Sequence, residues 1–326
     1  MINIINIIMI NLEEYYDYES KTLYLPHSFN EKLIYLPNRI ETIRFSEQEY
    51  RHRYSYFDYP VNKLPKKLTE IHFGTFFNQK VNKLPKKLIN ITFGIRFNQK
   101  VDKLPQNLKK LTFMGYFNQP INNLPKNLIY LSLSSSFNQP IDKLPDNLTE
   151  IYFGHDSVFN QSIDNLPEKL KIIHFGSNSV FNKSVDKLPK NLTYLTFGSH
   201  FNQPIDNLPE NLTHLILNHN FNQRIDNLPK KIVYLEIKSD NVIIPKNIKQ
   251  ICLANNNNLI NNLPENIEKL EIKLESFTEK PITNIPFSVK EIVIVNCRYF
   301  LDDRILEKYI KIPFGTIITS NSDYYI

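Results

Sequence analysis

The side chains best suited to chemistry here are eight histidines, two cysteines and 33 acidic residues, so their spacing is weighed first. Nucleophilic or hydrolytic chemistry needs a nucleophile, a base and an orienting group within hydrogen-bond reach. The nearest approaches to such a set are Glu150 and Tyr152 with His174, and His214 with Glu236. His72 and His174 stand five repeats apart, about 24 Å at about 4.8 Å per strand, and cannot share a metal or a substrate. Neither Cys252 nor Cys297 belongs to a C-x-x-C pair, and two cysteines are too few for a disulfide framework. No H-E-x-x-H, zinc spacing or glycine-rich phosphate loop occurs. The His, Glu and Tyr groupings therefore read as contacts between neighbouring strands. No catalytic residue, metal, cofactor or small-molecule substrate is expected.

The elements that position these residues repeat. The phrase Phe137-Asn-Gln-Pro-Ile-Asp-Lys-Leu-Pro-Asp-Asn-Leu148 has counterparts opening at Phe57, Phe77, Phe97, Phe117, Phe159, Phe181, Phe201 and Phe221, at intervals of 20 or 22 residues. Self-similarity at that period marks a solenoid. The second half of each unit, such as Leu68-Thr-Glu-Ile71-His-Phe73, has the spacing of leucine-rich repeats. Its last residues alternate apolar and polar, as a half-buried strand must. Pro stands eight residues after the Phe, where it excludes a helix interior and predicts extended or 3₁₀ backbone.

One unit cannot bury its Phe, Ile, Leu, Leu, Ile and Phe alone. Stacked on a neighbour it can, each side chain contributing about 1.5–3 kcal/mol. The expected fold is a leucine-rich-repeat-like solenoid with one continuous parallel β-sheet on its inner face. The outer side should be mostly extended or 3₁₀, with little α-helix. The Asn after each Phe (Asn78, Asn98, Asn118, Asn138, Asn160, Asn182, Asn202, Asn222) can donate and accept, which suits a structural ladder between coils.

The F-N-Q-P-I-D-x-L-P phrase, seen in Phe137–Pro145 and Phe201–Pro209, resembles the FNIP repeat, a leucine-rich-repeat relative. The resemblance covers about residues 21–295 and implies a family abundant in giant DNA viruses and social amoebae. It implies a repeat scaffold with protein partners, and it supplies no catalytic residues. Many proteins resembling the family carry an F-box ahead of the repeats, for which twenty residues before the first strand offer too little chain.

Three segments follow from the pattern: an N-terminal cap over 1–20, the repeat solenoid over 21–295 and a C-terminal cap over 296–326. The apolar stretch Met1–Ile10 lacks a basic leader and is too short to span a bilayer, so it is expected to cover the first coil. Leu301–Ile310 has helical spacing and predicts a short capping helix, with a closing edge strand near Thr316–Thr319. Without a signal peptide or transmembrane helix the expected location is the cytoplasm, that of the host for a viral chain, with both cysteines reduced. The polar positions of each strand form two columns on the inner face, where repeat proteins commonly bind partners. Tyr130, Glu150, Tyr152, His174, Tyr194, His214, Tyr234 and Glu236 are the candidate partner-binding residues, aromatics being common binding anchors. The expected function is non-catalytic protein recognition through that face. The net charge of +6 raises nucleic acid as an alternative partner along the edge bearing Lys66-Lys67, Lys86-Lys87 and Lys230-Lys231. Asp146, Glu168, Glu210 and Glu265 interrupt that edge, and no membrane partner is expected.

Overall fold

The computed structural model describes residues 12–45, 54–240, 242–254, 258–273, 281–295, 310–311, 313 and 315–321. The chain divides into two compact units, Met1–Gly154 and His155–Ile326. The first holds β1 (Tyr16–Asp17), β2 (Thr22–Leu25), β3 (Thr42–Phe45), β4 (Glu70–His72), β5 (Asn90–Phe93), β6 (Lys110–Phe113), β7 (Tyr130–Leu133) and β8 (Glu150–Phe153). The second holds β9 (Ile172–His174), β10 (Tyr194–Thr196), β11 (His214–Leu217), β12 (Tyr234–Ile237), β13 (Gln250–Ala254), β14 (Lys269–Lys273), β15 (Glu291–Val295) and β16 (Ile317–Asn321). Within each unit successive strands pair in parallel, and equivalent residues of the repeat stand in register: Asn90, Lys110 and Tyr130 in one, Tyr194, His214 and Tyr234 in the other. The fold is a parallel-sheet repeat solenoid of the leucine-rich-repeat kind. One pairing was not foreseen, since β1 turns back antiparallel on β2.

The coils opening at Phe57 to Phe221 bury six equivalent side chains, except that Leu166 is only half-buried. In the coil opening at Phe137 these are Phe137, Ile141, Leu144, Leu148, Ile151 and Phe153, all below a tenth exposed. Away from the sheet the chain is extended with tight i→i+3 turns, as where Leu148 N–H donates to Pro145 C=O at 3.0 Å and Phe137 N–H to Ser134 C=O at 3.2 Å. Among the described residues 3₁₀ helix occurs only at Leu12–Tyr15 and Asn258–Asn261. Successive coils stack ring on ring: the Phe73, Phe93 and Phe113 rings step 5.4–5.5 Å, and the Phe77, Phe97 and Phe117 rings behind them 6.1 Å. In the second unit the two rows step almost equally, with Phe175 and Phe197 6.0 Å apart and the rear row 6.1–6.2 Å.

The glycine that closes the repeat answers to this stacking. A Cβ on Gly94 would lie inside the Gly74 carbonyl of the coil before, so these two strand ends approach as they do only without a side chain on Gly94, whereas Ser134 and Asn218 hold the position in other coils. Where Met114 takes that position, the next residue becomes Gly115 with φ +58°. Ile317 and Ile318 of β16 are exposed on the closing edge. The apolar stretch 1–10 and Cys297 lie outside the described residues. So does the helix expected over 301–310, apart from Ile310, which forms a parallel bridge with Ile282. Among the described residues, no helix is long and apolar enough to cross a membrane.

Candidate functional site

Strand periodicity aims alternate residues out of the inner sheet face, and the parallel register stacks them into columns. In the first unit the columns begin with charge. Glu70 accepts from Arg44 at 2.7 Å and from Asn90 Nδ2 at 3.0 Å, and its other contact is His72 Nε2 at 2.6 Å. Burial works against the Glu70 carboxylate, but the Asn90 and His72 hydrogen bonds outweigh it and hold the group below its ordinary range. Further along, Lys110 lies over the Tyr130 ring at 6.0 Å and Tyr130 packs against Tyr152 at 5.1 Å. The Tyr152 hydroxyl donates to Glu150 at 3.2 Å, which joins three of the candidate residues in one cluster.

The second unit carries a tighter array. Tyr194, His214 and Tyr234 form a ladder of rings with centroids 5.8 and 5.6 Å apart and planes within 28°. Thr213 fixes the His214 ring through Nδ1 at 2.9 Å. The Tyr234 hydroxyl donates toward Glu236 and Glu271, each at 3.4 Å. All three rings are half-buried, and Ile172 and Ile216 beside them are apolar. His174, on the first strand of this unit, is pushed below its ordinary value by burial, which disfavours the charged ring.

Glu236 does not meet His214 as an acid–base pair. Lys273, two strands along, reaches back to it at 2.6 Å, and Glu236 is only 4% exposed. Burial opposes the Lys273 charge, yet attraction to Glu236 raises its pKa above the usual lysine value. Cys252 lies beside this pair and is fully buried, although the alternation of β13 puts it in the polar column of Glu236 and Glu271. Burial first, and then the Glu236 charge, push its thiol up to about 12. A thiol held protonated is a poor nucleophile. Sequence alternation missed Lys273 because it lies beyond the two columns, at the end of a five-residue strand. Among the described residues no three His, Cys, Asp or Glu converge on a metal position.

The Asn residues behind the sheet bond from coil to coil. Asn98, Asn118 and Asn138 each donate a backbone N–H to the side-chain oxygen of the preceding Asn at 2.9–3.0 Å, and Asn182, Asn202 and Asn222 do the same. A second row was not anticipated: Asn107, Asn127, Asn147, Asn191 and Asn211 donate to the outer-turn carbonyl one coil back. Its signal was the recurring L-P-x-N-L.

Comparison with known proteins adds to this geometry. The family model FNIP Repeat matches residues 77–116, 97–136, 117–156, 159–200, 181–207 and 201–240. Among solved structures the chain is similar to CroV588, a circular leucine-rich-repeat protein from a giant virus, with 28% identity and a TM-score of 0.52. That likeness covers 92% of this chain and 55% of CroV588, so the chain spans about half the length of that protein. YopM from Yersinia enterocolitica aligns at 15% identity and a TM-score of 0.31, over 95% of this chain and 93% of its own. No curated protein matches the chain.

Proposed function

The chain is an FNIP-repeat protein, and from that premise we propose that it is a non-catalytic scaffold binding a protein partner through its inner sheet face. The observation that carries the reading is the Tyr194–His214–Tyr234 ladder. Aromatic rings offer large contact area on few rotatable bonds, so rings already fixed by neighbours lose little entropy on docking. Tyr and similar anchors concentrate binding energy, and Ile172 and Ile216 supply apolar surface around them. In the first unit, Tyr130, Glu150 and Tyr152 offer a second, more polar patch on the same kind of face. Glu236 serves this surface from beneath, by orienting Tyr234 rather than by touching the partner. The reading places the protein in a cytoplasm, where Cys252 remains a buried thiol.

The test is affinity capture from native cells with the wild-type chain and with Tyr194→Ala/Tyr234→Ala. Loss of the captured protein with the double variant, at unchanged melting temperature, supports the reading. Retention of the same protein at the same yield refutes it.

A further inference from the structure

A different surface stands out on the outer side of the first unit. Between Pro60 and Ser136 the sequence holds thirteen Lys and Arg residues against two acids, Glu70 and Asp102. Across the comparable coils 159–240 of the second unit the balance is nine to eight. The chain's net charge of +6 therefore hides a strongly basic block. The fixed register converts that block into a lattice. Lys63, Lys83 and Lys103 share one column, Lys66, Lys86 and Lys126 a second, and Lys80 and Lys100 a third. One coil step, 6.1 Å at the adjacent Phe row, separates neighbours within a column, except that Gln106 stands between Lys86 and Lys126.

The lattice is not neutralised from within. None of these lysines has a carboxylate within ion-pair distance among the described residues, and all are exposed. Asp102 accepts from Asn123 at 3.4 Å, and Asp58, at the near end, accepts the Asn78 N–H at 2.8 Å. The second unit behaves oppositely: Lys187 pairs with Asp164, Arg224 with Asp226, and Lys249 with Glu268. Like charges held on a stiff lattice repel one another, and an external anion relieves that repulsion.

Chemistry narrows the anion. Between the lysine columns lies a shallow cavity of about 420 Å³ whose lining includes Pro60, Asn62, Gln79, Lys80, Lys83 and Gln99. Apart from the Pro60 ring these are ammonium and carboxamide groups, the kind that contact phosphate and sugar in nucleic-acid complexes. The apolar members of the same coils, Val61, Leu64, Val81 and Leu84, are buried. A membrane would need apolar or aromatic groups to insert, and a stable protein interface an apolar centre. The lattice presents neither. We propose that the lysine lattice on the outer side of residues 60–126 docks the phosphodiester backbone of a nucleic acid without reading its sequence. This surface is separate from the inner sheet face and adds a second ligand class to the scaffold.

The experiment measures fluorescence anisotropy of a labelled oligodeoxythymidylate about 20 nucleotides long, and of a duplex of similar length, from about 50 to 200 mM salt. The wild-type chain should bind, with log K falling linearly in log salt. Lys63→Glu/Lys83→Glu/Lys103→Glu should weaken binding at least about tenfold and reduce the slope by about 2, from about 0.7 per neutralised phosphate on a single strand and somewhat more on a duplex. Lys183→Glu/Lys190→Glu/Lys230→Glu makes the same change of charge on the second unit and should alter affinity less than about twofold. Tyr194→Ala/Tyr234→Ala should leave it unchanged, so failure here and failure of the protein-binding reading are separable. Equal loss with both lysine variants, or no binding at the lowest salt, overturns the proposal. Competition by polyglutamate or phosphatidylserine vesicles as effective as that by unlabelled oligonucleotide overturns its assignment to nucleic acid. Relative strength on single strand and duplex identifies which form the lattice fits.

Discussion

Cys252 shows how one side chain can tie stability to pH. Its thiol is buried beside Glu236 and is pushed from 9.0 up to about 12. A group whose folded pKa is raised contributes stability that is complete below the unfolded value and lost as pH rises toward the folded one. Lys273 and Tyr234, next to it, are shifted in the same direction, so all three weaken the fold in alkali. Thermal melts of the wild type should therefore fall from about pH 9, and Cys252→Ala should flatten that fall. Their difference should grow by at most about 1.4 kcal/mol per pH unit, the value of one proton. Parallel curves across pH 8 to 11 would show that the thiol is not the titrating group. The alternation of β13 made Cys252 look wet. Tyr234 bonds the thiol and Lys273 reaches across two strands to Glu236 beside it, and a long flexible side chain's direction is not written in a repeat.

At the scale of one coil, the hydrogen bonds behind the sheet are the testable unit. Asn118 accepts the N–H of Asn138 at 2.9 Å and the Gln139 amide at 3.1 Å, while its own N–H donates to Asn98. Asn118→Ala should leave the Asn138 N–H unpaired beside a half-buried turn and cost about 1–3 kcal/mol. Asn127→Ala removes one bond from an exposed turn carbonyl to which water has access, and should cost under about 1 kcal/mol. Urea titrations of the two variants compare them directly, and equal losses would deny the ladder its role. Strand positions and columns were legible because the x-I-x-F alternation and the constant period together decide which residues face the same way and which stand in register. Tyr194, His214 and Tyr234 share a column for that reason. The closing glycine's purpose was not legible: the clash of a Gly94 Cβ with Gly74 exists only once two coils are stacked.

For the whole molecule, the claim that each coil depends on its neighbours and on nothing more distant has a direct consequence. Removing residues 97–116 excises one complete period, and the new junction joins Arg96 to Phe117. Phe77 would then stack on Phe117 and β5 would pair with β7 in the register that β5 now keeps with β6 and β6 with β7. Every buried position keeps an apolar partner, since Phe97, Val101, Leu104, Leu108, Leu111 and Phe113 leave together. Stability in stacked repeats is close to a sum of unit and nearest-neighbour terms, so the shortened chain should fold with a modestly lower melting temperature. Removing residues 97–106 is the contrasting case. It joins Arg96 to Asn107, retains the Leu108–Phe113 strand segment and discards the Phe97 and Leu104 that pack behind it, which leaves a gap in the rear Phe row at the cost of two large buried side chains, each worth about 2–5 kcal/mol. Far-ultraviolet circular dichroism with thermal melting separates the outcomes: the twenty-residue deletion should keep the spectral shape and a cooperative melt, and the ten-residue deletion should lose both. If the longer deletion also unfolds, coils interact beyond their neighbours and the additive description of this solenoid fails.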